Sequence, residues 1–306
     1  MTAEVLDKLI ICDAAGFLMT EGESEEDFFR RIDDTAAVYD NFEAELRGGK
    51  KVRVFDLFEV SSDCRISPEL TEEAAEITEN LYGFAVHHVP GFYLTRQIGL
   101  LWGGCLIGDP EQNFAVFLLR NAFRKKRRFL NYRREELLAH ELCHSVRHVM
   151  NEPRLEEYFA YQTSPSPVRR YLGNCFISEK DAWGFLLPVM LLPIAELVRA
   201  LLNHGFPSWI FWITALIYPA FLLWRNSRSR KLVSKARKVL TGAGVVKCDA
   251  VLFRSLPSEL EEISRCSAEN FEDYALKKAG SNLRWQVIYE RFIRQNKPET
   301  YEETNL

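Results

Sequence analysis

No Cys-x-x-Cys pair occurs in the chain, and its seven cysteines, Cys12, Cys64, Cys105, Cys143, Cys175, Cys248 and Cys266, are scattered and odd in number. A disulfide framework is thereby excluded as the basis of the fold, and a reducing compartment is expected. Internal repeats and low-complexity tracts are also missing. The composition is globular, with 47% hydrophobic and 27% charged residues, so wholesale disorder is excluded. The opening "MTAEVLDKLIICDAAGFLM" has no positive segment ahead of its short apolar stretch, and a cleaved signal peptide is not expected.

What is present is unevenly distributed. The net charge of −4 conceals 21 acidic against 8 basic residues over positions 1–80, with the basic excess gathered in "RKKRRFLNYRR" (124–134) and "RNSRSRKLVSKARK" (225–238). The acidic part reads as helices. "ESEEDFFRRIDDTAAVYDNFEAEL" places Phe28, Ile32, Ala36, Tyr39 and Phe42 at helical spacing, with acids in the first turn. "KVRVFDLFEV" alternates like a strand, and "SPELTEEAAEITENLY" reads as a capped helix. From residue 84 three short strands are expected in "FAVHHVPGFYL", "IGLLWGGCLIG" and "FAVFLLR", followed by a long helix through "RREELLAHELCHSVRHVM" and a shorter one in "RLEEYFAYQTS".

Two apolar runs come next, "AWGFLLPVMLLPIAELVRALL" (182–202) and "SWIFWITALIYPAFLLW" (208–224). As helices they would extend roughly 32 Å and 26 Å, close to the ~30 Å hydrocarbon core of a bilayer. They read as a transmembrane hairpin with Trp183, Trp209 and Trp224 at the interfaces and the basic run on the cytoplasmic side. Both termini are then expected in the cytoplasm. Glu196 and Arg199, at helical i,i+3 spacing in the first run, are expected to pair with each other. The tail reads as two or three amphipathic helices. Their acidity argues against nucleic acid, and a bilayer and a peptide or protein are the partners expected.

Chemistry concentrates in "LLAHELCHSVRHV", residues 137–149. On a helix, His140 and His144 share a face with Cβ atoms ~6 Å apart. Both imidazoles can reach one Zn²⁺ at about 2.1 Å. Glu141, roughly 100° around the helix, is placed as a general base toward a water rather than as a ligand. Cys143 reads as a packing residue. His148 lies too far along the axis, at ~12 Å from His140, to be the third ligand. That role falls to the acidic pair Glu156-Glu157 beyond the Pro153 turn.

At this point the chain resembles the gluzincin zinc peptidases, in which HExxH is followed by a Glu on a second helix. Two local forms of that second motif are Glu-x-x-Ala-Asp, in membrane-bound CAAX-processing and heat-shock proteases, and Glu-Gly-Phe-Ala, in aminopeptidases. "EYFAY" matches the Glu, Phe and Ala when read from Glu157. The resemblance therefore implies metal ligands His140, His144 and Glu157, with Glu156 in reserve. "HELCHSVRH" is also similar to the HExxHxxxH of small repressor-cleaving zinc peptidases. Tyr161 stands where the CAAX-type enzymes have Asp, so a histidine must be oriented by another group. The gap of twelve residues between His144 and Glu157 is short for the family, and the likeness covers about 25 residues.

The expectation is an α+β protein: a helix-rich, zincin-like catalytic domain with a small sheet, a transmembrane helical hairpin and a C-terminal helical segment. Its regions are an acidic helical part over 1–83, the catalytic core over 84–180, the hairpin over 181–225, and a basic linker with helices over 226–306. The expected activity is peptide-bond hydrolysis by a zinc-activated water with Glu141 as base. The competing class is a non-enzymatic membrane scaffold or adaptor in which the motif is coincidental or degenerate. Arg147, His148, Tyr158 and Tyr161 are the oxyanion-stabilising candidates. "FAVFLLR" is either an edge strand that pairs with substrate or a buried central strand. His87 and His88 are read as structural, and the basic run 124–134 as a solvated helix face or a lipid contact.

Overall fold

A computed structural model describes residues 2–49, 51–55, 57–94, 103–109, 114–129, 132–202, 207 and 209–294. Helices dominate. The N-terminal part comprises α1 (Ala3–Ala14), α2 (Glu25–Arg47) and α3 (Pro68–Tyr82). The Ser24 side chain accepts from the Asp27 N–H to cap α2, and Pro68 sits at the first turn of α3, where its missing N–H costs nothing. Between α2 and α3 lie β1 (Val52–Val54) and β2 (Phe58–Val60), an antiparallel pair. The single strand expected over 51–60 is thus a hairpin: Leu57 donates to the Val54 carbonyl, and Phe55 has φ +50°.

The central sheet contains β3 (Gly91–Leu94), β4 (Gly104–Asp109) and β5 (Phe114–Arg120), in the order β3-β5-β4. β5 runs parallel to β3 and antiparallel to β4. Residues 84–90, expected as strand, have irregular backbone, and 98–102 lie outside the described residues. The edge-strand expectation for "FAVFLLR" does not hold. β5 is bonded on both edges and buried along almost its whole length, which is why both of its faces are apolar; β3 and β4 are the edge strands, β3 carrying an isolated bridge from Arg65 to Phe92. Nor is 124–134 a helix face: it forms one turn, α4 (Ala122–Lys125), then the paired β6 (Arg128–Phe129) and β7 (Tyr132–Arg133).

The motif helix α5 (Arg134–Arg147) packs on α3 and on the sheet, and α6 (Pro153–Ala160) crosses back over it. α7 (Pro167–Leu172) leads to α8 (Glu179–Leu202) and α9 (Trp209–Gly242). Four short helices follow, α10 (Cys248–Phe253), α11 (Pro257–Ile263), α12 (Phe271–Ala279) and α13 (Leu283–Ile288). One buried apolar cluster joins Tyr39, Phe92, Leu142, Val233, Phe253 and Trp285, so N-terminal, central and C-terminal segments share a core. Arg254, fully buried, binds Asp13 and donates to the Tyr82 carbonyl at 2.6 Å, tying α10 to α1 and α3.

α8 and the first half of α9 stand apart from this core. Most of their Leu, Ile, Val and Trp side chains are exposed, including Trp183, Trp209 and Trp224, with Leu222 buried. Among the described residues one helical stretch, Glu179–Leu201, is long and apolar enough to cross a membrane, and 6% of it is buried. Two equivalent spans are therefore not found. The apolar part of α9 ends at Trp224, after which the same helix continues with Arg225, Arg228 and Arg230. The pair packs side by side. It is fastened at its base by Arg225 on Asp181 (2.6 Å) and by the Tyr218 hydroxyl donating to Asp181 (3.0 Å). Glu196 and Arg199 pair with each other at 3.7 Å, as their spacing suggested. Beyond Arg225, α9 enters the core through Val233, Ala236 and Leu240.

Candidate metal centre

The chain between α5 and α6 decides which groups meet. α5 ends in a 3₁₀ turn at His148–Met150, and Asn151 reverses direction in the left-handed conformation (φ 48°). Asn tolerates that region better than most residues. Glu152 then caps α6, its carboxylate accepting from the N–H groups of Arg154 (2.9 Å) and Leu155 (3.2 Å). Arg147 fixes the junction: it pairs with Glu152, donates to the Phe253 carbonyl, and lies over the Phe159 ring at 4.7 Å. These contacts hold α6 against the His face of α5.

His140 and His144 turn their Nε2 atoms toward each other at 3.1 Å. Glu157 completes the triangle, with Oε2 at 3.7 Å from His140 Nε2 and Oε1 at 3.6 Å from His144 Nε2. One ligand atom from each of the three lies within 4.8 Å of the others. Tetrahedral ligands at about 2.0–2.1 Å from a metal ion would be roughly 3.3 Å apart, so the spacing of the three donors is compatible with a bound metal ion. Glu156 occupies a different place. Its Oε1 is 2.8 Å from His144 Nδ1, the outer nitrogen, where a carboxylate fixes the tautomer and ring orientation of a ligating histidine. His140 has the Ala160 carbonyl as its own hydrogen-bond partner.

Electrostatics agree with the geometry. Burial raises the Glu157 carboxyl to about 7; Glu141 and Glu156 add to the rise, against His144. Glu141 is also raised, chiefly by burial, although its Oε2 accepts the Leu106 N–H at 2.9 Å. Burial opposes charge on His144, but the Glu156 hydrogen bond and the three carboxylates outweigh it and lift the ring to about 9. His140 is pushed well below its ordinary value by burial and by His144. Glu156, by contrast, is held below its ordinary value, its burial being outweighed by its hydrogen bond to His144. The upward shift is thus confined to Glu141 and Glu157, the two carboxyls whose ionised form a cation at the centre would favour.

Of the oxyanion candidates, Tyr161 is at the site, with its ring 4.6 Å from that of His140. Gly173 makes room for it, since a Cβ there would come within 2.1 Å of the Tyr161 ring. His148 lines a cavity beside the centre. Arg147 is buried in the α5–α6 junction, and Tyr158 is buried under Arg230, so neither faces the site. Cys143 is buried and its thiol is pushed upward by burial, as suits a packing residue.

Two cavities flank Glu141. One of about 290 Å³ reaches Glu141, His144 and Glu156 from Phe17, Tyr39 and His88. The other, about 160 Å³, lies on the His140 side with Tyr132, Glu136, Tyr161 and Arg169. The sequence reading missed the first wall, which comes from the N-terminal region. His87 is exposed near Glu72, whereas His88 stacks on Phe17 at 4.4 Å. Burial lowers the His88 pKa from 6.5 to about 4. Between those pH values the unfolded chain binds a proton that the folded chain refuses. The stability present above pH 6.5 is therefore lost on acidification toward pH 4, by up to about 3 kcal/mol. His88→Phe should flatten this part of the pH dependence in thermal melts at pH 7 and 4.5; an identical acid loss in both proteins would refute it.

No protein-family model, curated protein or solved structure matches the chain. The functional reading consequently rests on the residues and their geometry.

Proposed function

We propose that this chain is a membrane-anchored, gluzincin-like zinc metallopeptidase. The observation that carries the reading is the convergence of His140, His144 and Glu157, with the buried Glu141 carboxylate beside them and Glu156 on the outer nitrogen of His144. A zinc ion held by His140, His144 and Glu157 would supply a Lewis acid for the scissile carbonyl and acidify a water. Glu141 is the group that would accept a proton from an attacking water and pass it to the leaving amine. Burial raises the Glu141 pKa above the ordinary carboxylate value, which strengthens it as a base for the first half of the transfer. The Leu106 N–H holds the carboxylate in place. Tyr161, beside His140, is positioned to donate to developing negative charge.

α8, together with the apolar half of α9, is the membrane anchor in this reading. Its exposed Leu, Ile and Trp side chains would form a far larger apolar patch than soluble surfaces tolerate. Arg225, Arg228, Arg230 and Lys231 follow the apolar half of α9, and the positive-inside rule supports a catalytic body and both termini on the cytoplasmic side. One experiment tests both parts. Membranes carrying the protein are washed at alkaline pH and assayed on a peptide mixture. The protein is expected to stay in the pellet and to hydrolyse peptides until a chelator is added, with zinc restoring activity. Release into the wash would refute the anchor; hydrolysis indifferent to chelation would refute the metallopeptidase.

A further inference from the structure

We propose that the 290 Å³ cavity on the His144 side is a binding pocket for a large apolar side chain, preferentially aromatic, of a peptide lying along β4. This rests on the peptidase reading of the adjoining centre and adds the class of substrate. A dry, apolar cavity of about 150 Å³ accommodates benzene; a space of about 290 Å³ takes a benzyl or indole group.

The lining is suited to a ring. Phe17 and His88 stack at 4.4 Å, Tyr39 meets His88 edge-on at 5.7 Å, and Phe114 lies 5.1 Å from Tyr39. Leu106 and Val149 supply aliphatic walls. Aromatic rings prefer such stacked and edge-on neighbours. Charge in the outer part of the cavity is already committed: Arg31 binds Glu23 at 2.8 Å and donates to the Leu18 carbonyl at 2.8 Å. The outer end therefore offers no free ion to attract a charged side chain, and its histidine is neutral.

The wall itself is built by distant parts of the chain. The Tyr39 hydroxyl both accepts from the Ala115 N–H (3.1 Å) and donates to the Ala115 carbonyl (3.0 Å), pinning α2 to β5. Gly16 has φ +92°, and a Cβ there would lie 2.5 Å from Val86 and 3.0 Å from Val146, so the segment bearing Phe17 lies directly against α5. At its inner end the cavity reaches Glu141 and His144. A side chain seated in it consequently belongs to a residue whose backbone passes the reacting centre. β4 borders the same space through Cys105, Leu106 and Gly108, and the Leu106 N–H points away from β5 toward Glu141. An extended peptide on that edge would place alternate side chains inward. The smaller cavity beyond Glu141, with Glu136 and Arg169, is polar and offers no comparable apolar space.

The test uses the full chain in detergent and ligand-observed NMR, with N-acetyl-phenylalaninamide and N-acetyl-alaninamide as probes. Binding of the Phe probe should be at least tenfold tighter. It should survive His140→Ala, because the cavity does not need the metal, and be lost in Thr35→Phe, which fills the space from α2. Ala115→Leu fills it from β5 and serves if Thr35→Phe lowers the melting temperature. Equal affinity for the two probes, or Phe binding indifferent to a well-folded filling variant, overturns the proposal. Selective Phe binding without any zinc-dependent hydrolysis would retain the pocket and remove the peptidase reading. Hydrolysis with no preference for aromatic residues beside the cleaved bond would do the reverse.

Discussion

Glu141→Gln is expected to retain the metal and to lose peptide hydrolysis by roughly 10²–10⁴-fold, the usual contribution of a positioned general base. The substitution is nearly isosteric, and the amide oxygen of Gln can still accept the Leu106 N–H that Glu141 Oε2 accepts now. What disappears is the proton-accepting carboxylate, whose pKa burial raises above its ordinary value. Zinc content and melting temperature should match the wild type while turnover collapses. Unchanged turnover in a zinc-loaded variant would remove Glu141 from the chemistry.

The second large effect separates two adjacent glutamates. Glu157 faces both Nε2 atoms, so Glu157→Ala deletes one of three protein ligands and should abolish zinc retention through dialysis. Glu156 meets His144 at its outer nitrogen, and loss of such a partner typically lowers metal affinity by roughly 10–100-fold. Glu156→Ala should therefore still bind zinc, but release it to a weaker chelator than the wild type does. Equal retention in the two variants would mean that the third ligand is neither residue. Reversed behaviour would exchange their roles.

Much of this centre was legible in thirteen residues because the i,i+4 rule is local. His140 and His144 must share a face wherever the helix lies, and Glu141 must stand to one side. The division of labour between Glu156 and Glu157 was less accessible. Consecutive residues on a helix point about 100° apart, and which of them meets the histidines depends on the rotation of α6 imposed by Asn151, the Glu152 cap and Arg147. Arg147 also shows how local reading fails. A basic residue beside the motif invites a catalytic role, yet its partner is the carbonyl of Phe253, 106 residues away.

The points left open or missed have the same origin. An all-apolar strand can be central or exposed on an edge, and the pairing of β5 with both β3 and β4 makes it central. The aromatic wall around His88 depends on Tyr39 meeting Ala115 across 76 residues, for which the sequence carries no periodic signal. Hydropathy identified the apolar stretches correctly as unlike the rest of the chain. It could not indicate that α9 would run on unbroken from its exposed apolar half into the protein core.

Zinc analysis of the purified chain tests the central claim most directly. The account predicts close to one zinc per wild-type chain and essentially none in His140→Ala or His144→Ala, with each variant otherwise folded. Wild-type protein that takes up no zinc, or histidine variants that keep a full complement, would contradict it.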